Sequence, residues 1–370
     1  MELQGIIGDI EKESGESIFV GNMPEFDFVR FSSPQLNYLT RGGIPMGAST
    51  EIVGEEHSGK STLAQDLIKN YQEFEAKRVV TKLKELNEDL SKAKSKREKE
   101  RLEEEIENTV ERPTIYLDIE QTLNPIWLAK IGVDESKVIV YKPADVGIEK
   151  PLDNIIRFLE TGAVGMVVID SVGQMISTAE QESSVGKGNY GGIAKSLTKY
   201  YKKAAPLYAR HKVAHVVINQ TREDLSGYGQ LIRPGGKANQ FAQSVVLRLR
   251  PATKFDEKYQ AVSNNAELVH SRETVVNMVK NKMRGADRQT TRFTIRPNYG
   301  LDLPFDTLQQ ALVDGYIKKG GAWYSVFDVK TGEELVKVQG QANVLDYLEN
   351  NPEVMEDLQE KLYELSIQED

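Results

Sequence analysis

The run Gly54-Glu55-Glu56-His57-Ser58-Gly59-Lys60-Ser61 has the spacing G-x-x-x-x-G-K-[ST]. Glycines let successive backbone N–H groups turn inward around phosphate oxygens, Lys60 reaches the β- and γ-phosphates, and the Ser61 hydroxyl can ligand magnesium. Gly54 through Thr62 are therefore candidate nucleotide-binding residues, with Lys60 also a candidate catalytic group. Three further runs end in polar groups. Asp170 closes MVVID, where a carboxylate beside a phosphate loop orients magnesium through its water shell; away from such a loop it reads as a helix cap. Glu120 closes TIYLDIE, placed to polarise the water that attacks a γ-phosphate. Asp118 competes for that role, because alternation along a strand puts both carboxylates on one face. Gln220 closes VAHVVINQ, where a neutral amide can touch the γ-phosphate and report hydrolysis to the loop that follows; a buried amide bridging strands is the alternative.

These groups need a scaffold that gathers strand ends. The runs 50–54, 114–120, 166–170 and 213–220 are short, β-branched and continuously apolar, separated by stretches of helical character. That pattern predicts an α/β fold with a mostly parallel sheet covered on both faces. Ligands of such sheets sit beyond the carboxyl ends of the strands, so the four polar ends are expected to converge. Residues 81–110 contain no Gly or Pro and repeat Leu83, Leu86, Leu90, Leu102 and Ile106 at helical spacing, which predicts an antiparallel helical hairpin turning near 91–96. It reads either as a solvated charged insertion or as a partner-binding arm. Beyond about residue 300 the pattern becomes helix, short hairpin, then two helices, a small α+β domain. The domain expectation is a short segment over 1–34, an ATPase core over 35–299 and the small domain over 300–370.

The 370 residues contain no cysteine and four histidines, which excludes thiolate chemistry and argues against a histidine-rich metal centre. No signal peptide or membrane-length apolar run is visible, so the expected compartment is the cytoplasm. A net charge of −9 speaks against nucleic acid as a partner, yet 195–212 carries Lys195, Lys199, Lys202, Lys203, Arg210 and Lys212 with no acid. Lys195, Lys199 and Lys202 share one helix face, suited to tracking a phosphate backbone or simply solvated. Two glycine-rich stretches flank this region, STAEQESSVGKGNYGG with Tyr190, and TREDLSGYGQLIRPGGK with Arg222, Tyr228, Arg233 and Lys237.

The order of GGIPMGASTEIVGEEHSGKST, LDIEQTLNPIWLAKIGVD, VVIDSV, VVINQTR, GGKANQFAQSVVLRLR, MVKNKMRG and GGAWYS resembles the bacterial RecA family from about residue 35 to 365. The resemblance implies an ATP- and Mg²⁺-dependent recombinase that forms filaments on single-stranded DNA and exchanges strands with duplex DNA. It implies Glu120 as the base, Gln220 as the γ-phosphate sensor, and 178–190 and 221–234 as DNA-contacting loops. Lys195, Thr198, Lys202, Arg222, Gly235 and Gly236 fall where the family touches DNA. Trp127 stands at the adenine-stacking position, Asn124 in the adenine-contacting segment, and Lys280 and Lys282 match lysines that reach a neighbour's ATP. Other copies of the chain, and single-strand-binding or mediator proteins, are the implied partners. Asn124 where an acid is commoner, Lys237 where a neutral residue is common, the poorly matching segment before Phe31 and the extra hairpin suggest a divergent, phage-type member.

Two other classes remain at this point. A hexameric helicase on the same core needs an arginine finger and an amino-terminal helicase domain. An ATP-switched regulatory protein would lack one of the DNA loops.

Overall fold

The computed structural model describes residues 2–14, 25–144, 147–181, 192–223, 231–232, 234–263, 265–266, 268–285 and 287–368. In chain order, α1 spans Glu2–Ser14, β1 Phe28–Val29, α2 Pro34–Thr40, β2 Ile44–Pro45 and β3 Ser49–Gly54. Helices α3 (Lys60–Lys92) and α4 (Lys96–Asn108) precede β4 (Thr114–Asp118), α5 (Pro125–Lys130), β5 (Val138–Tyr141), α6 (Glu149–Glu160) and β6 (Met166–Asp170). Next come α7 (Thr178–Gln181), α8 (Gly192–Arg210), β7 (Ala214–Gln220), β8 (Arg222–Glu223), β9 (Leu231–Ile232), α9 (Gly236–Ala242) and β10 (Val245–Phe255). The chain continues through β11 (Ala261–Val262), β12 (Ser271–Asn281), β13 (Thr290–Arg296) and β14 (Gly300–Leu301). It closes with α10 (Leu303–Val313), β15 (Ile317–Gly320), β16 (Trp323–Phe327), β17 (Glu334–Gln339), α11 (Gln341–Asn350) and α12 (Pro352–Ile367).

The central sheet has the order β14-β13-β12-β10-β3-β7-β6-β4-β5, with β11 beside β10. From β10 to β5 every neighbouring pair is parallel, while β12, β13 and β14 extend the sheet antiparallel. Strands β3, β4 and β6 are buried along their whole length, as continuous apolar runs in a two-faced sheet must be. Leu63, Leu67 and Tyr71 of α3 cover one face over Ile52 and Val216. Leu152 and Leu159 of α6, with Leu197 of α8, cover the other over Ile169 and Val217. Register brings the strand ends level, since Gly54 pairs with Gln220 and Asp118 with Asp170. A separate core of Leu308, Val326, Leu348 and Leu358 supports the small antiparallel sheet β15-β16-β17 and the last helices.

The hairpin differs from expectation in one respect. Its first arm is the uninterrupted continuation of α3, a single helix of 33 residues that starts at the glycine-rich loop. The chain turns at 93–95, and Ser95 caps α4 by accepting from the Glu98 N–H. Leu86, Ala93 and Leu102 form a small core of their own, and Lys82 pairs with Glu105 across the arms. At the foot of the hairpin the buried Glu75 of α3 accepts two hydrogen bonds from Arg78, at 2.7 and 2.9 Å, and one from the Arg112 Nε at 2.8 Å. Burial alone would raise this carboxyl, but the two guanidinium groups outweigh it and hold the group below its ordinary range. A depressed carboxyl stabilises the fold above the unfolded-state pKa, and that contribution is lost as pH falls through the folded value. Glu75→Ala leaves two cations without their partner. The expected loss is about 3 kcal/mol, the lower end of the usual range because Arg78 is 35% exposed. Urea denaturation at pH 7 measures it, and the gap from the unsubstituted protein should narrow on acidification.

Candidate functional site

The loop after β3 is shaped by two left-handed residues, His57 at φ 58° and Gly59 at φ 86°. Gly59 is the N-cap of α3 and offers no side-chain cap, so the first N–H groups of the helix are left for an anion. Lys60 is nearly buried and donates from Nζ to the Glu55 carbonyl at 2.5 Å. Burial lowers its pKa against the pull of Asp170, Glu120, Glu56 and Glu55. A phosphate at this place would exchange that backbone carbonyl for a charged partner of the buried ammonium.

Lys60, Ser61 and Thr62 line a cleft of about 570 Å³ together with Glu56, His57, Gly59, Glu120, Asp170 and Gln220. Asp170 is buried; its Oδ2 accepts from the Tyr116 hydroxyl at 2.6 Å, and its Oδ1 has no hydrogen-bond partner. Burial pushes the carboxyl up to about 6, despite the Tyr116 hydroxyl beside it, and the Glu120 charge adds to the rise. An unsatisfied carboxylate oxygen beside a Ser hydroxyl suits a hard cation. Among the described residues no three His, Cys, Asp or Glu gather as a metal cage, so such a cation would draw most ligands from phosphate and water. A carboxyl raised by folding stabilises the protein below its unfolded pKa and loses that contribution as pH rises through about 6. Without nucleotide, Asp170→Asn should therefore melt higher than the unsubstituted chain at pH 7.5, with the difference shrinking by pH 5. Thermal melts at the two pH values test it.

The two competing acids separate. Strand β4 stops at Asp118, so alternation does not carry to Glu120, and the shared-face expectation is corrected. Asp118 is buried, accepts from the N–H groups of Thr122 at 3.2 Å and Leu123 at 3.0 Å, and lies 3.4 Å from the Lys142 ammonium. It holds the turn. Glu120 follows in that turn and faces the cleft, accepting at Oε1 from the Ser171 hydroxyl at 2.7 Å and from Gln220 Nε2 at 3.2 Å. Ser171 and Tyr116 were not singled out as site residues. Ser171 had a signal, standing directly after Asp170, whereas Tyr116 reaches across to a neighbouring strand. Arg272 and Thr274 also line the cleft, from β12, and no local motif announces them.

Other expected nucleotide contacts do not meet in this cleft. Asn124 caps α5 by accepting from the Ile126 N–H at 3.0 Å, and half-buried Trp127 donates to Gln65 Oε1 of α3 at 2.9 Å. Lys280 donates to the Gln240 carbonyl at 2.9 Å. It pairs in register with Val246, whereas Gly54 lies level with Leu249, so it sits about 10 Å further back along the sheet than the glycine-rich loop. Lys282, just past β12, lies further that way and donates its N–H to the Ser244 carbonyl. Neither lysine lines the cleft of its own chain.

On α8, Lys195, Lys199 and Lys202 are exposed, and Lys203 lies 3.9 Å from Asp153. Thr198 turns its hydroxyl back to the Ala194 carbonyl at 2.6 Å, leaving the lysines as the outward polar groups of that stretch. Gly235, at φ 93°, wedges between α8 and α9: a Cβ there would meet Leu197 and Asn239 at 3.0 Å. A Cβ on Gly236 would stand 3.1 Å from Ala194. The end of the second glycine-rich stretch thus packs on the helix that follows the first. Tyr190, Tyr228 and Arg233 lie outside the described residues, as do the side chains of Arg222 and Lys237.

A family model for the RecA N-terminal domain matches residues 106–301, more than half of the chain, and one for the RecA C-terminal domain matches 306–366. The chain belongs to the RecA family. Protein RecA of Thermus aquaticus is 29% identical over 98% of this chain and 93% of its own length. Protein RecA of Clostridium novyi is 28% identical over 98% and 90%, and that of Ruminococcus albus 28% over 97% and 79%. The RecA N-terminal match begins inside α4, downstream of the glycine-rich loop and the turn of the hairpin, while the match to the Thermus aquaticus protein extends over 98% of the chain. No described helix is long and apolar enough to cross a membrane.

Proposed function

We propose that this RecA-family DNA recombinase binds and hydrolyses ATP in the cleft at the carboxyl ends of β3, β4, β6 and β7, and that hydrolysis governs its grip on DNA. The observation that carries the reading is the hydrogen bond from Gln220 to Glu120, at 3.2 Å within the cleft that also holds Lys60 and Asp170. The phosphate loop, Lys60 and the free N-terminus of α3 hold the triphosphate. Ser61 and Asp170 hold Mg²⁺, which when bound neutralises developing phosphate charge. Glu120 takes the proton of the attacking water. Ser171 fixes one side of its carboxylate, while the Gln220 amide is shared between Glu120 and an incoming γ-phosphate. Because Gln220 ends β7 and the chain passes directly into 221–234, a shift of that amide reaches the DNA side through one strand end.

Trp127, one turn along α3 from Thr62 through its bond to Gln65, marks the adenine side with Asn124. Lys280 and Lys282, at the far end of the sheet, act on the ATP of an adjacent copy in a filament. Exposed Lys195 and Lys202, with Thr198, Gly235, Gly236, Arg222 and Lys237, form the DNA-facing side, and Tyr190, Tyr228 and Arg233 belong to its loops. Single- and double-stranded DNA, other copies of the chain and single-strand-binding or mediator proteins are the partners of this reading. The test is steady-state ATPase with and without long single-stranded DNA, beside electron microscopy of the same samples. DNA-stimulated turnover with nucleoprotein filaments supports it. Closed rings point to a helicase, and ATP binding without a DNA response overturns it in favour of a nucleotide switch.

A further inference from the structure

A set of buried polar side chains behind the cleft has no part in the chemistry above. Glu51 of β3 is fully buried, and its Oε1 accepts from Asn219 Nδ2 at 2.9 Å and Asn239 Nδ2 at 2.7 Å. The Asn219 amide nitrogen also donates to the Pro234 carbonyl at 3.0 Å, and the Asn219 Oδ1 accepts from the backbone N–H of Gln220 at 3.0 Å. Pro234 is thereby tied to the residue that precedes the sensor. On the far side, Asn239 Oδ1 accepts from the Tyr201 hydroxyl at 2.6 Å and from Gln243 Nε2 at 2.9 Å. Gln243 Oε1 accepts in turn from the Ser49 hydroxyl at 2.5 Å.

Donor counting fixes the direction of this network. The single Ser49 proton goes to Gln243, so His215 Nδ1, 2.8 Å from Ser49 Oγ, must carry hydrogen and donate. Burial drops the His215 pKa to about 3, so the ring is neutral and its Nε2 accepts from the Tyr200 hydroxyl at 2.7 Å. The chain of bonds from Tyr200 through His215, Ser49, Gln243 and Asn239 therefore runs one way and reaches the Glu51 side chain. Such a network stabilises one arrangement only when complete, because each buried group that loses its partner is costly.

Four elements meet in it, and each feeds a functional segment. β3 leads into the phosphate loop, β7 into Gln220, α8 follows the first glycine-rich stretch, and α9 with Pro234 follows the second. We propose that Glu51 and Asn239 are positioning residues that register the Pro234–Gly236 segment against Gln220, so that DNA engagement and γ-phosphate sensing change together. The proposal rests on the reading of Gln220 and of the 221–234 loop given above.

The test uses the full chain and measures the single-stranded DNA Kd by fluorescence anisotropy with ADP and with a non-hydrolysable ATP analogue. The ratio of the two is the coupling factor, expected at ~10 or more in the unsubstituted protein. Asn239→Leu, close in shape, and the smaller Asn239→Ala should both bring it towards 1, so one folded variant suffices. The analogue's Kd without DNA should stay within ~2-fold, since Asn239 touches no nucleotide group. Glu51→Gln keeps an acceptor for both amides and should keep the ratio. An unchanged ratio in a folded Asn239 variant, or a uniform loss of affinity with the ratio preserved, overturns the proposal alone. A ratio near 1 in the unsubstituted protein overturns the functional reading and the proposal with it.

Discussion

Glu120→Gln is expected to lower kcat for DNA-stimulated ATP hydrolysis by ~10²–10⁴-fold, the usual weight of a general base, with little change in nucleotide Kd. The amide keeps the shape of the carboxylate and can still accept from Ser171 Oγ, now 2.7 Å from Glu120 Oε1, but it cannot take a proton from water. Filaments assembled with ATP should consequently outlast those of the unsubstituted protein. Stopped-flow phosphate release and equilibrium nucleotide binding separate the two quantities. Asp118→Asn is the informative companion. Asp118 faces the Thr122 and Leu123 N–H groups and Lys142, so its replacement should cost thermal stability. A selective collapse of kcat there, with Glu120→Gln near normal, would reverse the assignment.

Lys60→Ala is expected to reduce kcat/KM for ATP by at least ~10²–10³-fold, because in the proposed function the side chain is the fixed positive charge at the place where phosphate charge develops. Nucleotide dependence of DNA binding should vanish with it. The fold should not suffer in proportion. Burial already disfavours the Lys60 ammonium when no phosphate is present, so removing it relieves a cost in the empty protein. A melting temperature held within a few degrees alongside lost ATPase is the predicted pair. A large drop in melting temperature would instead make the lysine a structural residue.

The glycine-rich loop and the acid at the end of MVVID were readable because each is a contiguous run whose chemistry follows from spacing. The parallel sheet was readable from apolar strands with no polar face. Strand position alone could not separate Asp118 from Glu120, and only the family resemblance chose Glu120, because the answer depends on where β4 stops, and period-2 alternation says nothing about where a strand turns. The network around Glu51 was hidden for another reason. Its members run from Ser49 to Gln243, and such partners meet only once the sheet order is known. Glu51 within TEIVG, and His215 and Asn219 within VAHVVINQ, were a local trace of it, polar residues inside runs otherwise committed to burial. Lys280 shows the converse limit: family likeness names a role, while only the pairing register shows how far the residue stands from the chain's own phosphate loop.

The uninterrupted helix α3 gives the protein a pointer. Its first residue is Lys60 and its last is Lys92 at the hairpin turn, a rod of 33 residues, about 50 Å long. A tilt of about 5° at the phosphate end would sweep the tip through about 4 Å on a rod of that length. The chain has no cysteine, so a single one introduced at exposed Lys94 would carry a dye or spin label with no background. If nucleotide binding tilts α3, a label there reports it from the hairpin turn, at the opposite end of the helix from Lys60.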